Sequence, residues 1–125
     1  MMVSKYRNLK TRVSNGRMAD SRKEARRYEE LLLLQRVGKI SDLCTQVPYE
    51  LIPAQYETYE RYGKKGQRLK DGQRLVERAC TYVADFVYTE NGKTIVEDTK
   101  GVRTPDYIIK RKLMLHIHGI KIHEI

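Results

Sequence analysis

The 125-residue chain has little cysteine and no long apolar run. Its two cysteines, Cys44 and Cys80, are far apart and form no CxxC pair, so neither a disulfide framework nor a zinc ribbon is indicated. The leucine run at 31–34 is too short for a membrane span or a signal peptide, and no glycine-rich nucleotide-binding loop is present. A chain of this length forms one domain. We therefore expect a single intracellular, cytoplasmic domain without a membrane partner.

Positive charge dominates the composition. Lys and Arg number 25 and Asp and Glu 16, which gives a formal net charge of +9. Such an excess favours a polyanionic partner, most often nucleic acid, because bases that neutralise phosphates release condensed counterions. A charge that serves solubility alone is the alternative. Residues 1–19 contain five bases and no acid, and we interpret them as a basic N-terminal arm, or a disordered terminus, before a domain at 20–125.

The first predicted helix covers 21–38. Asp20 or Ser21 can cap its start, and Gly38 suits the position just after its end. Glu24 falls at the edge of the apolar stripe, and two roles are open to it. It can reach back to the helix start as the acid of a Ser21-x-x-Glu24 capping box, or it can face a functional site.

Residues 43–53 alternate weakly between apolar and polar and predict a strand. Pro48 cannot donate a ladder hydrogen bond, which favours an edge position, a bulge or a strand start. Gln46, near the beginning of this strand, has two interpretations. A solvent-facing side chain is the commoner case, and a site residue is the other.

Residues 54–78 combine three tyrosines, three glycines and seven bases. We expect a basic loop insertion, in the form of a mobile loop or hairpin tip. Interleaved aromatic and basic side chains suit stacking and backbone contacts with nucleic acid. Tyrosines that pack on the neighbouring strands are the alternative. The candidate nucleic-acid-binding residues are Lys64, Lys65, Arg68, Lys70 and Arg74.

The stretch 82–101 predicts a β-hairpin. Two runs rich in Val, Ile, Tyr and Thr, 79–90 and 93–100, flank Asn91-Gly92. Asn-Gly between such runs is typical of a type I′ turn, in which both central residues need positive φ. A two-residue turn fixes which residues of the two strands face each other.

This register brings charged side chains together. Asp85 lies opposite Asp98, and Lys100 shares the face of Asp98 because strand side chains alternate with a period of two. Two ionised carboxylates ~5 Å apart at an effective dielectric constant of ~20 repel by about 3 kcal/mol, and a divalent cation between them reverses the sign of that energy. An ordinary cross-strand ion pair of Asp85 with Lys100 is the alternative. Glu97 points to the opposite face, and we assign it no role.

The remaining elements complete the predicted fold. The triplet 104–106 (TPD) supplies an N-cap, a proline at the first helical position and an acid in the first turn. The helix runs to about His118, Gly119 ends it, and a strand follows at 120–125. A helical crossover between the last two strands implies a parallel pair. We therefore predict an α/β fold with a mixed central sheet flanked by helices, in the order helix, strand, strand, strand, helix, strand.

Asp85 followed by the triplet 98–100 (DTK) resembles the PD-(D/E)XK signature of the restriction-endonuclease-like nuclease superfamily. The hairpin, TYVADFVY followed by TIVEDTKG, is similar to the metal-binding hairpin of phage Holliday-junction-resolving endonucleases. The chain also resembles an uncharacterised family of short phage-encoded proteins assigned to this fold. The resemblance covers 20–125 and implies a restriction-endonuclease-like αβββαβ core. Ala84 departs from the proline that the superfamily often has there, which affects the turn into the site but not its ligands.

The resemblance implies a metal-dependent endonuclease that hydrolyses phosphodiester bonds in DNA, including branched or junction DNA. Its Mg²⁺ or Mn²⁺ would be held by Asp85, Asp98, Glu24 and the carbonyl of Thr99. Glu24 is included because the superfamily commonly places a metal-site glutamate on its first helix. Lys100 would join these acids in catalysis by positioning water or stabilising developing charge. A junction substrate favours a homodimer, and a phage origin implies the host cytoplasm. A non-catalytic nucleic-acid-binding protein that keeps the fold as a scaffold is the alternative.

Overall fold

A computed structural model describes residues 11–12, 18–19 and 22–125 of the chain. The helices and strands, in chain order, are β1 (Thr11–Arg12), β2 (Met18–Ala19), α1 (Arg22–Arg36), β3 (Ser41–Ile52), β4 (Gln55–Tyr62), β5 (Arg68–Glu77), β6 (Cys80–Glu90), β7 (Lys93–Asp98), α2 (Pro105–Leu113) and β8 (His123–Glu124). The predicted caps Asp20 and Ser21 and most of the predicted arm lie outside the described residues.

Four strands form the central sheet in the order β3-β6-β7-β8. Neighbours are antiparallel from β3 to β7, and β8 runs parallel to β7. α2 lies between β7 and β8 along the chain and so provides the crossover that a parallel pair requires. The α/β fold with a mixed sheet is therefore confirmed. Two further two-stranded sheets are formed by β1 with β2 and by β4 with β5.

The hairpin between β6 and β7 has the predicted two-residue turn. Asn91 and Gly92 have φ values of 52° and 76°, both in the left-handed region, and Glu90 pairs with Lys93 directly beside them. Asn and Gly adopt this region at low cost, which is why the turn forms here. The register predicted from the turn is confirmed along the whole ladder.

β3 is an edge strand, as Pro48 predicts. Ile52 at its end lies opposite Cys80 at the start of β6, so residues 53–79 are an insertion between two neighbouring strands. Of the two forms expected for 54–78, the hairpin is the one found: β4 and β5 form an antiparallel ribbon, and only its turn at 63–67 has the character of a loop. Every residue of β4 is exposed, and a strand that buries neither face lacks the alternation by which strands are identified.

The start of α2 follows the predicted pattern. The side chain of Thr104 accepts a hydrogen bond from the backbone N–H of Tyr107, and Pro105 occupies the first helical position. The α-helix is shorter than predicted because a π-helical turn, Met114–His118, continues it. Gly119, with φ of 67°, ends that turn. The strand predicted at 120–125 is reduced to β8.

Two clusters of buried side chains hold the helices against the sheet. The first lies under α1 and contains Ala25, Tyr28, Leu31, Ile40, Phe86 and Tyr88. The second lies under α2 and contains Leu51, Tyr82, Ala84, Val96, Tyr107, Met114 and Ile122. β6 contributes Phe86 and Tyr88 to the first cluster and Tyr82 and Ala84 to the second, so Asp85 lies between the two sets along the strand. The boundary between the two clusters is therefore where the candidate site forms.

Candidate active site

Three polar residues stand in one row across β3, β6 and β7. Phe86 pairs with Glu97, so the next position along the ladder sets Asp85 against Asp98, as predicted. The pairs on either side of Gln46 set it opposite Asp85 on the other edge of β6. Gln46 has a φ of 54°, a conformation that costs roughly 1–2 kcal/mol for a residue other than glycine. Such strain is commonest at functional sites.

Asp98 is buried, with 1% of its surface exposed. Its Oδ2 accepts a 2.5 Å hydrogen bond from the hydroxyl of Tyr82. Its Oδ1 has no hydrogen-bond partner among the described residues. Burial raises the pKa of Asp98 to about 6, and the charge of Asp85 adds to the rise while Tyr82 and Lys100 oppose it. Asp98 is thus an acid with one satisfied and one unsatisfied oxygen.

Lys100 lies beyond the end of β7, which stops at Asp98 and does not reach residue 100 as predicted. Its Nζ lies 3.9 Å from Oδ1 of Asp98, an ion-pair distance that is longer than a hydrogen bond. The same Nζ lies 5.0 Å from the centroid of the Tyr107 ring. The ring and the carboxylate together hold the ammonium over Asp98. The ion pair of Lys100 is therefore with Asp98, whereas the sequence suggested Asp85 as the alternative partner.

Asp85 is held by the residue that follows Asp98. The backbone N–H and the hydroxyl of Thr99 donate to Oδ2 of Asp85 at 2.9 and 2.8 Å. Oδ1 lies 3.4 Å from Nε2 of Gln46. These bonds fix the carboxylate of Asp85 beside β7 and keep Oδ1 toward β3. Thr99 therefore positions Asp85, and the role predicted for its carbonyl oxygen stays a prediction.

Glu24 reaches this row from the first turn of α1. It is 4% exposed, and its Oε2 lies 3.5 Å from the same Nε2 of Gln46 that contacts Asp85. Gln46 thus links the helix acid to the strand acid, and because its side chain is also exposed, it faces solvent and contacts the site at the same time. Both contacts are long for hydrogen bonds, so the amide holds the two acids loosely. The capping-box alternative for Glu24 needs Ser21, which lies outside the described residues.

Glu97 has a structural role that the sequence did not indicate. Nε and Nη2 of Arg27 donate to its two carboxylate oxygens at 2.8 and 2.6 Å, and the hydroxyl of Tyr88 donates to Oε2. Glu97 is 1% exposed, and its hydrogen bonds raise the pKa of Arg27. This forked pair fastens α1 to β7. Glu97 therefore belongs to the α1 interface and not to the row of Asp85 and Asp98.

Asp85 and Asp98 offer carboxylate oxygens, the type of ligand that a hard divalent cation such as Mg²⁺ prefers. Among residues 22–125, no three His, Cys, Asp or Glu side chains approach closely enough to form a ready-made metal centre. Mg²⁺ does not require one, because it is commonly bound through one or two carboxylates and keeps several waters. The unsatisfied Oδ1 of Asp98 is a suitable ligand, and Asp85 is the second carboxylate. Gln46 can turn its amide oxygen toward a cation, since rotation of the amide exchanges O and N.

Two tyrosines of this site were missed by sequence reasoning. Tyr82 satisfies one oxygen of Asp98, and Tyr107 supports Lys100 while its hydroxyl donates to Glu124 at 2.8 Å. Burial raises the pKa of both tyrosines, so both stay protonated donors. Neither has a fixed spacing from the acid or lysine that it contacts. Only the packed arrangement of strand and helix reveals them.

The predicted nucleic-acid-binding residues lie on the ribbon of β4 and β5. Lys64 and Lys65 are at its turn, and Arg68, Lys70 and Arg74 are on β5; all five are exposed. The ribbon is joined to the sheet at the N-terminal end of β6, where Cys80 lies five residues before Asp85. The bases are thus brought together on one element, apart from the row of acids.

None of the helices in the described part of the chain is long and apolar enough to cross a membrane. No curated protein and no solved structure gives a significant match to the chain. Residues 3–124, nearly the whole sequence, match one protein family. The chain therefore belongs to the family described as "Protein of unknown function (DUF1064)".

Proposed function

We propose that this protein is a metal-dependent endonuclease that hydrolyses phosphodiester bonds in DNA. Its site comprises Asp85, Asp98, Glu24 and Lys100. The observation that carries the proposal is Oδ1 of Asp98, a buried carboxylate oxygen that has no hydrogen-bond partner in the described part of the chain. It lies beside a second carboxylate and 3.9 Å from an ammonium. The PD-(D/E)XK resemblance of the same residues supports the choice of reaction.

A purely structural role leaves this oxygen unexplained. A buried polar atom without a partner costs about 1–3 kcal/mol, and more when it is charged. A bound cation removes that cost and also the repulsion between Asp85 and Asp98. Asp85, Asp98 and the Thr99 carbonyl would hold Mg²⁺ or Mn²⁺, with Glu24 extending the ligand set through Gln46. When bound, the ion supplies Lewis acidity toward the phosphodiester and lowers the pKa of water.

The protein's own residues orient the reacting groups. Thr99 fixes Asp85, and Tyr82 fixes Asp98, so neither carboxylate rotates freely. Lys100 presents its N–H donors from a position between Asp98 and the Tyr107 ring. An ammonium held there can orient the attacking water or stabilise the negative charge that develops on the phosphate.

Cleavage assays test the proposal. Linear duplex, supercoiled plasmid and four-way-junction DNA are incubated with the protein and Mg²⁺, Mn²⁺ or EDTA. We expect cleavage only with a metal, and a loss of roughly 100-fold or more in Asp98→Asn and Lys100→Met, as for removal of an electrostatic catalytic group. Glu90→Gln, an exposed acid on the same strand as Asp85, is the matched control and keeps full activity.

Two outcomes would contradict the proposal. Cleavage that persists in EDTA or in Asp98→Asn would place the chemistry elsewhere. Tight DNA binding without cleavage of any substrate would favour the scaffold alternative.

Cleavage of junction DNA would bear on the oligomeric state of the protein. Paired symmetric cuts in a junction need two active sites, so preferential junction cleavage predicts a homodimer. Light scattering of the protein with and without junction DNA measures this directly.

A further inference from the structure

The β4–β5 ribbon carries basic and aromatic side chains that take no part in the proposed site. Its strands pair only with each other, every residue of β4 is exposed, and on β5 only Leu69 and Gly72 are half-buried. A two-stranded ribbon is marginally stable alone in water, and this one adds little to the core. Its side chains are therefore better explained by contact with a partner than by packing.

The ribbon and its turns are basic. The insertion holds seven bases and four acids. Arg68 pairs with Asp71 at 2.5 Å, and Arg74 pairs with Glu57 at 3.5 Å. Among the described residues no acid lies within ion-pair distance of the remaining bases, which are Arg61, Lys64, Lys65, Lys70 and Arg78. Most of the positive charge is thus available to a polyanion.

The tip of the ribbon presents two adjacent lysines on an ordered turn. The backbone N–H of Gly63 donates to the carbonyl of Gln67 at 2.8 Å, and that of Gly66 donates to Gly63 at 2.9 Å. The side-chain oxygen of Gln67 accepts from the N–H of Lys65 at 3.1 Å. Lys64 and Lys65 are both exposed. The turn therefore holds two positive charges at the far end of the ribbon.

One face of the ribbon carries an aromatic platform between two arginines. A Cβ added to Gly72 would lie 2.5 Å from Cζ of Tyr59 and 2.8 Å from Cδ of Arg61, so the Tyr59 ring lies directly over the glycine backbone. The guanidinium of Arg74 lies 4.4 Å from the centroid of the same ring. Stacking on the ring limits the motion of Arg74 and so lowers the entropy lost when it binds a phosphate.

We propose that the β4–β5 ribbon is a DNA-binding arm that enters the major groove of duplex DNA. The choice of DNA rests on the proposed function. The major groove admits a two-stranded β-ribbon. Eight residues at ~3.3 Å per residue make β4 about 26 Å long, against roughly 34–36 Å for one helical turn of the duplex. A protein partner is disfavoured, because interface cores are depleted of the charged residues that cover this ribbon.

The first test separates ribbon charge from total charge. The full-length Asp98→Asn variant is titrated with a short fluorescent duplex over a series of KCl concentrations. Removing both tip lysines, Lys64→Ala/Lys65→Ala, should lower the slope of log K against log salt by about 2, since each phosphate contact contributes about 0.9. The matched control, Lys93→Ala/Lys121→Ala, removes the same charge from exposed positions elsewhere and should leave the slope unchanged. Equal slopes in both double variants would overturn the proposal.

The second test addresses the aromatic platform without changing charge. Gly72→Ala must displace the Tyr59 ring. We expect duplex affinity to fall roughly two- to tenfold with an unchanged salt slope, because Arg74 loses the ring that orders it while its phosphate contact remains. Tyr59→Ala should give the same result. Wild-type affinity in both variants, or tighter binding of single-stranded than of duplex DNA, would contradict groove binding.

The third test removes the ribbon. Because Ile52 and Cys80 are paired, a two-residue Asn-Gly turn can replace residues 53–79. The shortened protein should stay folded, keep its Mn²⁺ affinity and lose most of its duplex affinity. Unchanged duplex affinity, or a change from dimer to monomer as the sole effect, would overturn the proposal. Failure of the nuclease function has a different signature, in which the ribbon variants lose DNA affinity although the wild type cleaves nothing.

Discussion

The hydroxyl of Tyr82 donates a 2.5 Å hydrogen bond to Oδ2 of Asp98. This bond stabilises the charged form of a carboxylate whose pKa burial raises to about 6. Tyr82→Phe should therefore destabilise the protein by about 2 kcal/mol at pH 8, the usual contribution of a hydrogen bond to a charged group. At pH 5, where Asp98 is mostly protonated, the loss should be smaller. Urea unfolding at both pH values measures the difference.

The control for this prediction is Tyr49→Phe. Tyr49 is half-buried on the neighbouring strand, and its hydroxyl has no hydrogen-bond partner among the described residues. A loss for Tyr82→Phe that is the same at both pH values would show that Asp98 does not gain its charge in this range.

The charge of Asp98 should cost stability. Its pKa in the folded protein, about 6, lies above its ordinary value of 3.8, so the folded state binds the proton more tightly. The stabilisation from this proton is complete below pH 4 and is lost as the pH rises through 6, a change of about 3 kcal/mol. Asp98→Asn, which cannot ionise, should therefore be more stable than the wild type at pH 8 in EDTA and show no advantage at pH 4.

Thermal unfolding in EDTA across this pH range measures the effect. Asp106→Asn is a control of opposite sign, because a hydrogen bond with Thr104 lowers the pKa of that exposed carboxyl. A wild-type protein whose stability rises steadily from pH 4 to pH 8 would contradict the prediction for Asp98.

Metal binding should offset this penalty in the wild type only. At a Mn²⁺ concentration ten times the dissociation constant, a single site stabilises the folded state by about 1.4 kcal/mol. We expect Mn²⁺ to raise the melting temperature of the wild type at pH 8 and to do so less at pH 5, where protons compete for Asp98. Asp98→Asn should gain little. Equal stabilisation of both proteins by Mn²⁺ would place the ion away from this site.

The fork between Arg27 and Glu97 should be a stability element without influence on the metal. Removal of one partner of a buried ion pair costs about 3–5 kcal/mol, because the other charge is left without compensation. Arg27→Met should fall in this range. Arg27→Met/Glu97→Gln should recover most of the loss, since the neutral amide can still accept from Tyr88.

Urea unfolding and Mn²⁺ titration of the three proteins test this pair. We expect the free energies of unfolding to differ while the Mn²⁺ affinities agree. A tenfold weaker Mn²⁺ affinity in the double variant would assign Glu97 to the metal site.

The local sequence was sufficient to predict the hairpin but not the contacts that other elements make with it. Asn91-Gly92 determines its own φ values, and the register that sets Asp85 against Asp98 follows from two residues. The contact of Glu24 with Gln46 depends instead on how α1 docks on β3, for which no short spacing exists. Sequence alone therefore offered two roles for each of them.

The ribbon shows a different limit of sequence reasoning. Strands are predicted from burial of one face, and β4 buries neither. Gly63 and Gly66 correctly indicate a turn, but the residues that follow them, which form β5, were also expected to belong to a loop. The role of Glu97 was hidden for a different reason, since its partner Arg27 lies 70 residues earlier in the chain.

The pairing of Ile52 with Cys80 makes the two parts of the protein separable. The ribbon can lengthen, shorten or change its sequence without shifting the register that holds Gln46, Asp85 and Asp98 in one row. On the proposed function, substitutions in 53–79 would change the preference for a DNA substrate and leave the row of acids in place. A ribbon grafted from another chain at the Ile52–Cys80 junction would then transfer the DNA preference alone.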